Sequence, residues 1–159
     1  MVNQLIWAFL LTILPISELR AGMPIAIDYA LKNSLPLIPI IFFIILANML
    51  IVLFIFWFLD SFHHILIRNR VYRKFYESYL RRIQKKVDKF EKNHAAYGFT
   101  ALMLFVAVPL PTTGAWTGTV IAWLLGLNRK QSLIAIMLGV LIAGIIVSLI
   151  SLGILSFVY

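Results

Sequence analysis

Two charged residues, Glu18 and Arg20, lie in the break between two apolar runs near the start of the chain, and they are the only charges in that break. Ionisable groups are costly inside a lipid bilayer, so their presence in an apolar segment points to a functional site. A carboxyl group can carry a proton, and a guanidinium is a planar fork of donors that suits phosphate. The pair therefore predicts a site that can be loaded with a proton or with an anion. A structural ion pair, or a hairpin tip that reaches the far headgroups, is the alternative.

A second apolar stretch is interrupted at residues 109–114, where the sequence supplies hydroxyl groups and no charge. Thr112 or Thr113 can cap a helix that begins near Gly114, and the free N–H groups of that helix would then point at the interruption. A helix N-terminus of this kind binds anions, and Arg20 beside it would complete a phosphate pocket. Helix capping alone is the alternative role for the threonines. The predicted substrate or ion site comprises Glu18, Arg20, Pro109, Pro111, Thr112, Thr113, Gly114, Trp116 and Thr117.

The composition places these residues in a membrane protein. Of 159 residues, 62% are hydrophobic and 13% are charged, whereas soluble domains carry about 25% charged residues. The chain has no cysteine, which excludes disulfides and thiolate metal sites. It has no paired-acid, histidine-cluster, nucleophile-elbow or glycine-rich phosphate-loop pattern. The sequence therefore predicts an all-α integral membrane protein that is not an enzyme and uses no cofactor or metal.

Two charge-free runs are long enough to cross a bilayer as helices. Residues 37–59 form the first predicted span, and residues 131–157 form the second, which Asn128 is expected to cap. Asn48 lies near the middle of the first span, where an interhelical hydrogen bond is the favoured role for an amide.

The two interrupted stretches, residues 3–33 and 97–127, have apolar arms of about 8–13 residues, which reach only about the middle of a bilayer. In the first stretch the expected break runs over residues 15–24. Each stretch is therefore predicted to be a re-entrant helical hairpin that returns to the face it left. The positive-inside rule supports this for the second stretch, since re-entry puts Arg129 and Lys130 on the same face as the basic residues before it.

Each half of the chain then consists of one re-entrant hairpin and one transmembrane helix, and the two halves enter from opposite faces. This arrangement is an inverted repeat, which transporters use to bring broken helices together at the bilayer midplane. The first repeat is predicted over residues 1–60 and the second over residues 97–159. Small residues also recur every four positions, for which close helix packing is the expected role. They are Gly22, Ala26 and Ala30; Gly114, Gly118, Ala122 and Gly126; and Ala135, Gly139 and Ala143.

Between the repeats, residues 61–96 hold ten lysines and arginines and three acidic residues, so this segment carries +7 of the net charge of +8. Its apolar residues recur at helical period, which predicts a basic amphipathic helix on the cytoplasmic side. Anionic lipid headgroups are its favoured partner, at about 1 kcal/mol for each Lys or Arg near the surface. A homodimer contact with a second copy is the next alternative, and nucleic acid is disfavoured because no recognition motif is present. His63 and His64 at its start are candidates for a pH response.

The two interruptions also carry a family resemblance. They read LPISELRAGMP over residues 14–24 and VPLPTTGAWTG over residues 108–118, and the chain resembles the small multidrug export proteins over essentially its whole length. That family is similar to the DedA (VTT/SNARE-associated) superfamily. DedA proteins are implicated in proton-coupled flipping of polyprenyl-phosphate lipids, and their eukaryotic relatives scramble phospholipids. The resemblance implies two opposed re-entrant hairpins, with Glu18 as the acid of the first and residues 109–118 as the tip of the second. Unlike DedA second hairpins, this one has no arginine, and Arg20 is the available substitute.

The leading functional hypothesis is a multi-pass transporter of the cell membrane that moves phosphate-bearing lipids, polyprenyl phosphates or phospholipids, in a proton-linked manner. Arg20, the threonines of the second interruption and the helix after them would hold the phosphate, and Glu18 would carry the proton. Two alternatives stay open. One is efflux of small cationic drugs, with Glu18 as the counter-ion, and the other is a membrane scaffold that acts through its basic helix.

Overall fold

The structure, a computed structural model, describes residues 3–15, 17–66, 68, 98–110 and 113–157. Over these residues the chain is helical and has no β-strand, which confirms the all-α prediction. The helices are α1 (Asn3–Ile13), α2 (Glu18–Lys32), α3 (Leu37–Leu66), α4 (Gly98–Ala107), α5 (Ala115–Leu124) and α6 (Arg129–Leu155).

Two of these helices, α3 and α6, are long and apolar enough to cross a membrane. They have 30 and 27 residues, and at about 1.5 Å per residue each exceeds the ~30 Å hydrocarbon core of a bilayer. Both lie where the sequence predicts spans. Asn128 caps α6 as expected, since its Oδ1 accepts the backbone N–H groups of Lys130 and Gln131 at 3.1 and 3.3 Å.

Helix α3 is longer than the predicted span, which ends at residue 59. It continues to Leu66 because no proline or glycine follows Leu59 until Gly98. Of the predicted basic segment, residues 61–96, the structure describes only this last part of α3 and Arg68. The rest of that prediction lies outside the described residues.

Helices α1 and α2 form the first hairpin, and a glycine lets them pack closely. A Cβ at Gly22 would lie 2.5 Å from the carbonyl oxygen of Ala8 and would overlap the hydroxyl of Thr12. The other members of the predicted stripe, Ala26 and Ala30, are also buried. The close-packing role is therefore confirmed for this stripe.

The predicted break of the first hairpin, residues 15–24, is too long. Helix α1 ends at Ile13 and α2 already begins at Glu18, so that Pro24 lies inside α2. The proline ring removes one helical hydrogen bond, to the carbonyl of Arg20, but helices in membrane proteins tolerate this when neighbouring helices pack around them. Glu18 and Arg20 consequently lie on the first turn of a helix and not in an irregular loop.

Helices α4 and α5 form the second hairpin, which packs on α6 through small residues. A Cβ at Gly118 of α5 would lie 2.6 Å from Cγ2 of Val106, and a Cβ at Gly139 of α6 would lie 2.7 Å from Cβ of Val106. One valine of α4 thus fills the space left by two glycines. Gly126 belongs to the predicted stripe but is exposed with a φ of +64°, so it serves the turn after α5 and not the packing.

The buried side chains form two clusters that occupy different parts of α3 and α6. The first hairpin packs on Ile44 of α3 and Ala143 of α6. The second hairpin packs on Val52 of α3 and Ala135 of α6. The first hairpin therefore lies toward the start of α3 and the end of α6, and the second lies toward the end of α3 and the start of α6. The two hairpin tips meet between these clusters.

Candidate functional site

The two hairpin tips meet at the side chain of Glu18, which is 6% exposed. Its carboxylate lies at the N-terminus of α5, where Oε1 accepts the backbone N–H of Trp116 at 3.0 Å and Oε2 accepts that of Ala115 at 3.3 Å. The first N–H groups of a helix have no partner within it and carry partial positive charge, so a carboxylate is stabilised there. We call these two hydrogen bonds the tip contact.

The backbone of Glu18 is held in an unusual conformation. Its φ is +45°, a value that residues with a side chain rarely adopt. The turn before it is fixed by two hydrogen bonds: the N–H of Glu18 donates to the carbonyl of Leu14 at 3.0 Å, and the hydroxyl of Ser17 donates to the carbonyl of Leu11 at 2.7 Å. Strain of this kind persists only where the surroundings enforce it, and it is common at functional sites.

Gly114 makes room for the tip contact. A Cβ at this position would overlap Oε2 of Glu18 and would lie 2.6 Å from the carboxyl carbon. The φ of Gly114 is 169°, which is extended backbone that any residue adopts, so the requirement is for space and not for conformation. A side chain here would push the Glu18 carboxylate off the N-terminus of α5.

The predicted capping of α5 by a threonine is wrong for Thr113. Its hydroxyl is directed into its own turn, where its one proton is within hydrogen-bonding distance of the carbonyl oxygens of Val108 at 2.8 Å and Leu110 at 3.0 Å. Glu18 of the other hairpin occupies the N-terminus of α5 instead. A carboxylate interacts with a helix N-terminus more strongly than a hydroxyl does, because its negative charge opposes the helix dipole.

Arg20 reaches the second hairpin from the same turn of α2. Its Nη2 donates to Oγ1 of Thr113 at 3.1 Å and to the carbonyl oxygen of Val108 at 3.4 Å. Its Nε is buried, and no described residue accepts a hydrogen bond from it. A buried guanidinium N–H without an acceptor is a donor that a further anion or a water molecule can use.

The C-terminus of α1 is tied to the same region by two side chains. The indole Nε1 of Trp116 donates to the carbonyl of Ile13 at 2.9 Å, and Nδ2 of Asn48 donates to the carbonyl of Thr12 at 3.1 Å. Carbonyls at the end of a helix have no partner within it. The predicted interhelical hydrogen bond of Asn48 is confirmed, and Trp116 joins the hairpins through its side chain as well as its backbone.

A small cavity lies beside the tip contact, with space for about one water molecule. It adjoins the middle of α3 and the middle of α6, so both long helices border the site. The cavity has no room for a larger group. The lining residues are Glu18, Leu19, Arg20, Asn48, Val106, Gly114, Ala115, Val140 and Ala143.

A second polar contact joins the two halves of the chain at the other end of α5. Asp60 of α3 accepts the indole Nε1–H of Trp123 at 3.0 Å, and its second oxygen pairs with the guanidinium of Arg129. Arg129 also lies over the ring of Phe56, 5.2 Å from the centroid, and the ring of His63 packs edge-on against Trp123 with 5.6 Å between centroids. We call the hydrogen bond and ion pair of Asp60 the base contact, because they lie at the base of the second hairpin, at the end of α5 away from the tips.

The structure brings several of the predicted site residues together and leaves others apart. Pro109 lies in the turn and Thr117 on the first turn of α5, both half-buried, and neither lines the cavity. Pro111 and Thr112 lie outside the described residues. Those that meet at the two tips are Glu18, Arg20, Thr113, Gly114 and Trp116.

Three participants are absent from the predicted site. Asn48 lines the cavity, and its position in the middle of an apolar span was a usable signal. Asp60 forms the base contact, and an acidic residue at the end of one span with an arginine at the start of another is a signal for an ion pair. Ala115 acts through its backbone N–H, and its residue type gives no sign of this role.

Two long apolar helices, with polar side chains enclosed between short apolar hairpins, define a helical integral membrane protein. The chain belongs to the family described as "Putative small multi-drug export protein", whose model matches residues 18–146. The matched range begins at Glu18 and contains the tip contact, the cavity lining and the base contact. Neither the curated proteins nor the solved structures include a significant match to the chain.

Proposed function

We propose that the protein is a proton-linked transporter of phosphate-bearing lipids, in which the hairpin tips meet near the middle of the bilayer. The family description names export, which is a transport function. The observation that carries the proposal is the tip contact. An acidic side chain occupies a helix N-terminus there, and an arginine with a buried N–H that no described residue accepts lies beside it.

The contacts of the short helices support a re-entrant path for both hairpins. A short turn joins the end of α2 to Leu37 at the start of α3, whereas Trp123 at the end of α5 lies beside Asp60 toward the end of α3. The hairpins thus start from opposite ends of α3, and their tips reach its middle at Asn48. These contacts support an arrangement of the two halves as an inverted repeat, of the kind that transporters use.

The tip contact gives a proton and an anion a common site. While Glu18 is ionised, its carboxylate occupies the N–H groups of Ala115 and Trp116. A proton on Glu18 removes the charge that these groups bind, and they become available to another anion. The Nε of Arg20 supplies a further donor beside them. Proton uptake and phosphate uptake therefore favour one another, which is the requirement for coupled transport.

The cavity is too small for a lipid headgroup, so loading requires it to widen. Leu14 and Leu110, one on each tip, have exposed side chains. They give the site an apolar rim that faces lipid, along which acyl or prenyl chains can remain in the bilayer while the headgroup enters.

Efflux of small cationic drugs is the second candidate, and the family description favours it. Glu18 would then be the counter-ion of the drug. A cation would have to compete with the N–H groups of Ala115 and Trp116 for the carboxylate, and the positive charge of Arg20 nearby would repel it. Because of this competition and this repulsion, we prefer an anionic substrate.

The proposal includes an orientation and a set of partners. The basic segment, residues 61–96, would lie on the cytoplasmic leaflet, with anionic headgroups or a second copy of the chain as its partner. A scaffold that acts through this segment makes a different prediction. Deletion of residues 65–92 would abolish its function, and Glu18→Gln would leave that function intact.

The test is lipid movement across vesicles that contain the purified protein and a trace of fluorescent phospholipid or polyprenyl phosphate. An impermeant reductant bleaches lipid that reaches the outer leaflet, and the rate is recorded with and without a pH gradient. We expect the wild type to accelerate movement and to respond to the gradient. Glu18→Gln should lose the response to the gradient, and Arg20→Ala should lose the movement itself.

Asp28→Asn is the matched control. Asp28 also lies on α2, but it forms an exposed ion pair with Lys32 at 2.7 Å, so its substitution should leave transport unchanged. Equal lipid movement in all of the proteins, or none in any of them, would contradict the proposal. Transport of a lipophilic cation that Glu18→Gln abolishes and Arg20→Ala improves would establish drug efflux instead.

A further inference from the structure

Helix α5 is held at both ends by carboxylates from the first half of the chain. At its first turn the tip contact joins it to Glu18 of α2, and at its last turn the base contact joins Trp123 to Asp60 of α3. The helix has ten residues and is therefore about 15 Å long. The two carboxylates thus act on opposite ends of one short element.

The two contacts differ in what a proton would do to them. The Glu18 carboxylate is buried and bound by two backbone N–H groups, so a proton removes its charge and converts one acceptor oxygen into a donor. The Asp60 side chain is 43% exposed, and its two oxygens are bound by the indole of Trp123 and the guanidinium of Arg129. A proton taken up at the midplane therefore weakens the tip contact and leaves the base contact in place.

We infer that Asp60 is the positioning residue about which α5 pivots, so that the tip contact opens while the base contact stays closed. The inference rests on the proposed function in one respect, which is that Glu18 takes up a proton. It specifies the direction in which the site opens. The cavity widens between the two hairpin tips, and the junction of α3, α5 and α6 stays packed.

Glu18 is the one carboxylate among the described residues that line the cavity, and His63, whose ring packs on Trp123, lies at the base contact and not beside the tip contact. Arg20, on the same helix, is the one other ionisable group among the described lining residues, and it limits the movement through its bond to Thr113. Helix α1 contributes the carbonyls of Thr12 and Ile13, which are already bonded. The remaining lining residues, from α2 to α6, are Leu19, Asn48, Val106, Gly114, Ala115, Val140 and Ala143.

On protonation we expect a larger fraction of molecules to have an open tip contact, and not the opening of every molecule. Loss of one hydrogen bond to a charged group shifts a two-state equilibrium about tenfold or more. The bond from the indole of Trp116 to Ile13 and the bond from Arg20 to Thr113 also join the two hairpins, and they oppose the opening. We therefore expect protonation to raise the open fraction about tenfold.

Pulsed electron spin resonance on the full chain in vesicles tests the pivot, because the chain contains no cysteine and labels can be placed at chosen positions. The tip pair is Leu14→Cys with Leu110→Cys, and the base pair is Phe62→Cys with Leu124→Cys. All four side chains are exposed. We expect one short tip distance in alkaline buffer, an added longer tip distance in acidic buffer, and a base distance that is the same in both.

Four further variants assign these changes to residues. Glu18→Gln should give the longer tip distance in both buffers, and Asp28→Asn should behave as the wild type. Asp60→Ala should spread the base distance in both buffers while the short tip distance persists in alkaline buffer, because Glu18 is intact. Trp123→Phe removes only the indole bond of the base contact, so it should broaden the base distance to a smaller extent. This second variant tests the pivot if Asp60→Ala does not fold.

A base distance that changes in acid as much as the tip distance would overturn the pivot. A tip distance that neither acid nor Glu18→Gln alters would also overturn it. Lipid movement with an unchanging tip distance would refute the pivot and leave the proposed function standing. A tip that opens in acid without any lipid movement would refute the proposed function and leave the pivot standing.

Discussion

Atom Oε1 of Glu18 lies 3.0 Å from the backbone nitrogen of Trp116, and the two residues are 98 positions apart in the chain. The indole of the same tryptophan donates to the carbonyl of Ile13, so one residue gives the first hairpin two hydrogen bonds. One of these bonds uses the backbone and persists when the side chain is replaced. The other uses the side chain and is lost. The two links between the hairpins can therefore be separated by substitution.

Trp116→Phe removes the indole bond and keeps the tip contact. The carbonyl of Ile13 then loses its partner, and we expect a loss of about 1–2 kcal/mol in the free energy of unfolding. The acid response of the tip distance should be retained, because the backbone N–H still meets Glu18. Thermal denaturation in detergent measures the first effect and spin-label distances the second. Trp7→Phe, at an exposed position of α1, is the control. A Trp116→Phe protein without acid response would show that the tip contact depends on the indole.

Gly114→Ala should displace the Glu18 carboxylate without removing its charge. The added methyl group overlaps Oε2, and the carboxylate can avoid it only by leaving the two N–H groups of α5. We expect a loss of about 2 kcal/mol in the free energy of unfolding, the value of a hydrogen bond to a charged group.

A double-mutant cycle with Glu18→Gln checks the cause of that loss. The loss of unfolding free energy caused by Gly114→Ala should be smaller in the Glu18→Gln background. An uncharged amide interacts more weakly than a carboxylate with the N-terminus of α5, so displacing it costs less. Equal costs in both backgrounds would mean that the methyl group acts through a different neighbour. Unfolding of detergent-solubilised protein by heat or denaturant provides the four values.

Local signals in the sequence identify the candidate residues but not their partners. Glu18 and Arg20 stand out because charges are rare in apolar segments, and the capping of α6 by Asn128 follows from a rule that involves only four consecutive positions. The bond from Ala115 to Glu18 could not be predicted, because every residue except proline has a backbone N–H. The sequence predicts that Thr112 or Thr113 caps α5, but the Thr113 hydroxyl bonds within its own turn. Which partner it takes depends on the backbone path of the turn, which local sequence signals do not specify.

Gly139→Ala should destabilise the packing of α4 on α6, and Gly153→Ala should not. A Cβ at Gly139 would lie 2.7 Å from the carbonyl oxygen of Met103 and from Cβ of Val106, whereas nothing lies within 4 Å of a Cβ at Gly153. Because a backbone carbonyl cannot move aside as a flexible side chain does, we expect a loss of about 1–3 kcal/mol for Gly139→Ala. Both glycines lie on α6, so helix propensity is the same for the two variants. Equal thermal midpoints in detergent would contradict the close approach of the two helices.

Arg20→Lys should separate binding of the phosphate from the response to protons. Lysine keeps the positive charge but lacks Nε, so it cannot bond to Thr113 and also donate into the cavity from a second nitrogen. We expect lipid movement to fall about tenfold or more, since a single ammonium replaces a guanidinium fork, while the tip distance still responds to acid. Lys32→Arg makes the reverse exchange at the exposed ion pair of α2 and should change neither measurement. If Arg20→Lys moves lipid as fast as the wild type, Arg20 acts only through its charge, and the phosphate is bound by the N–H groups of α5 alone.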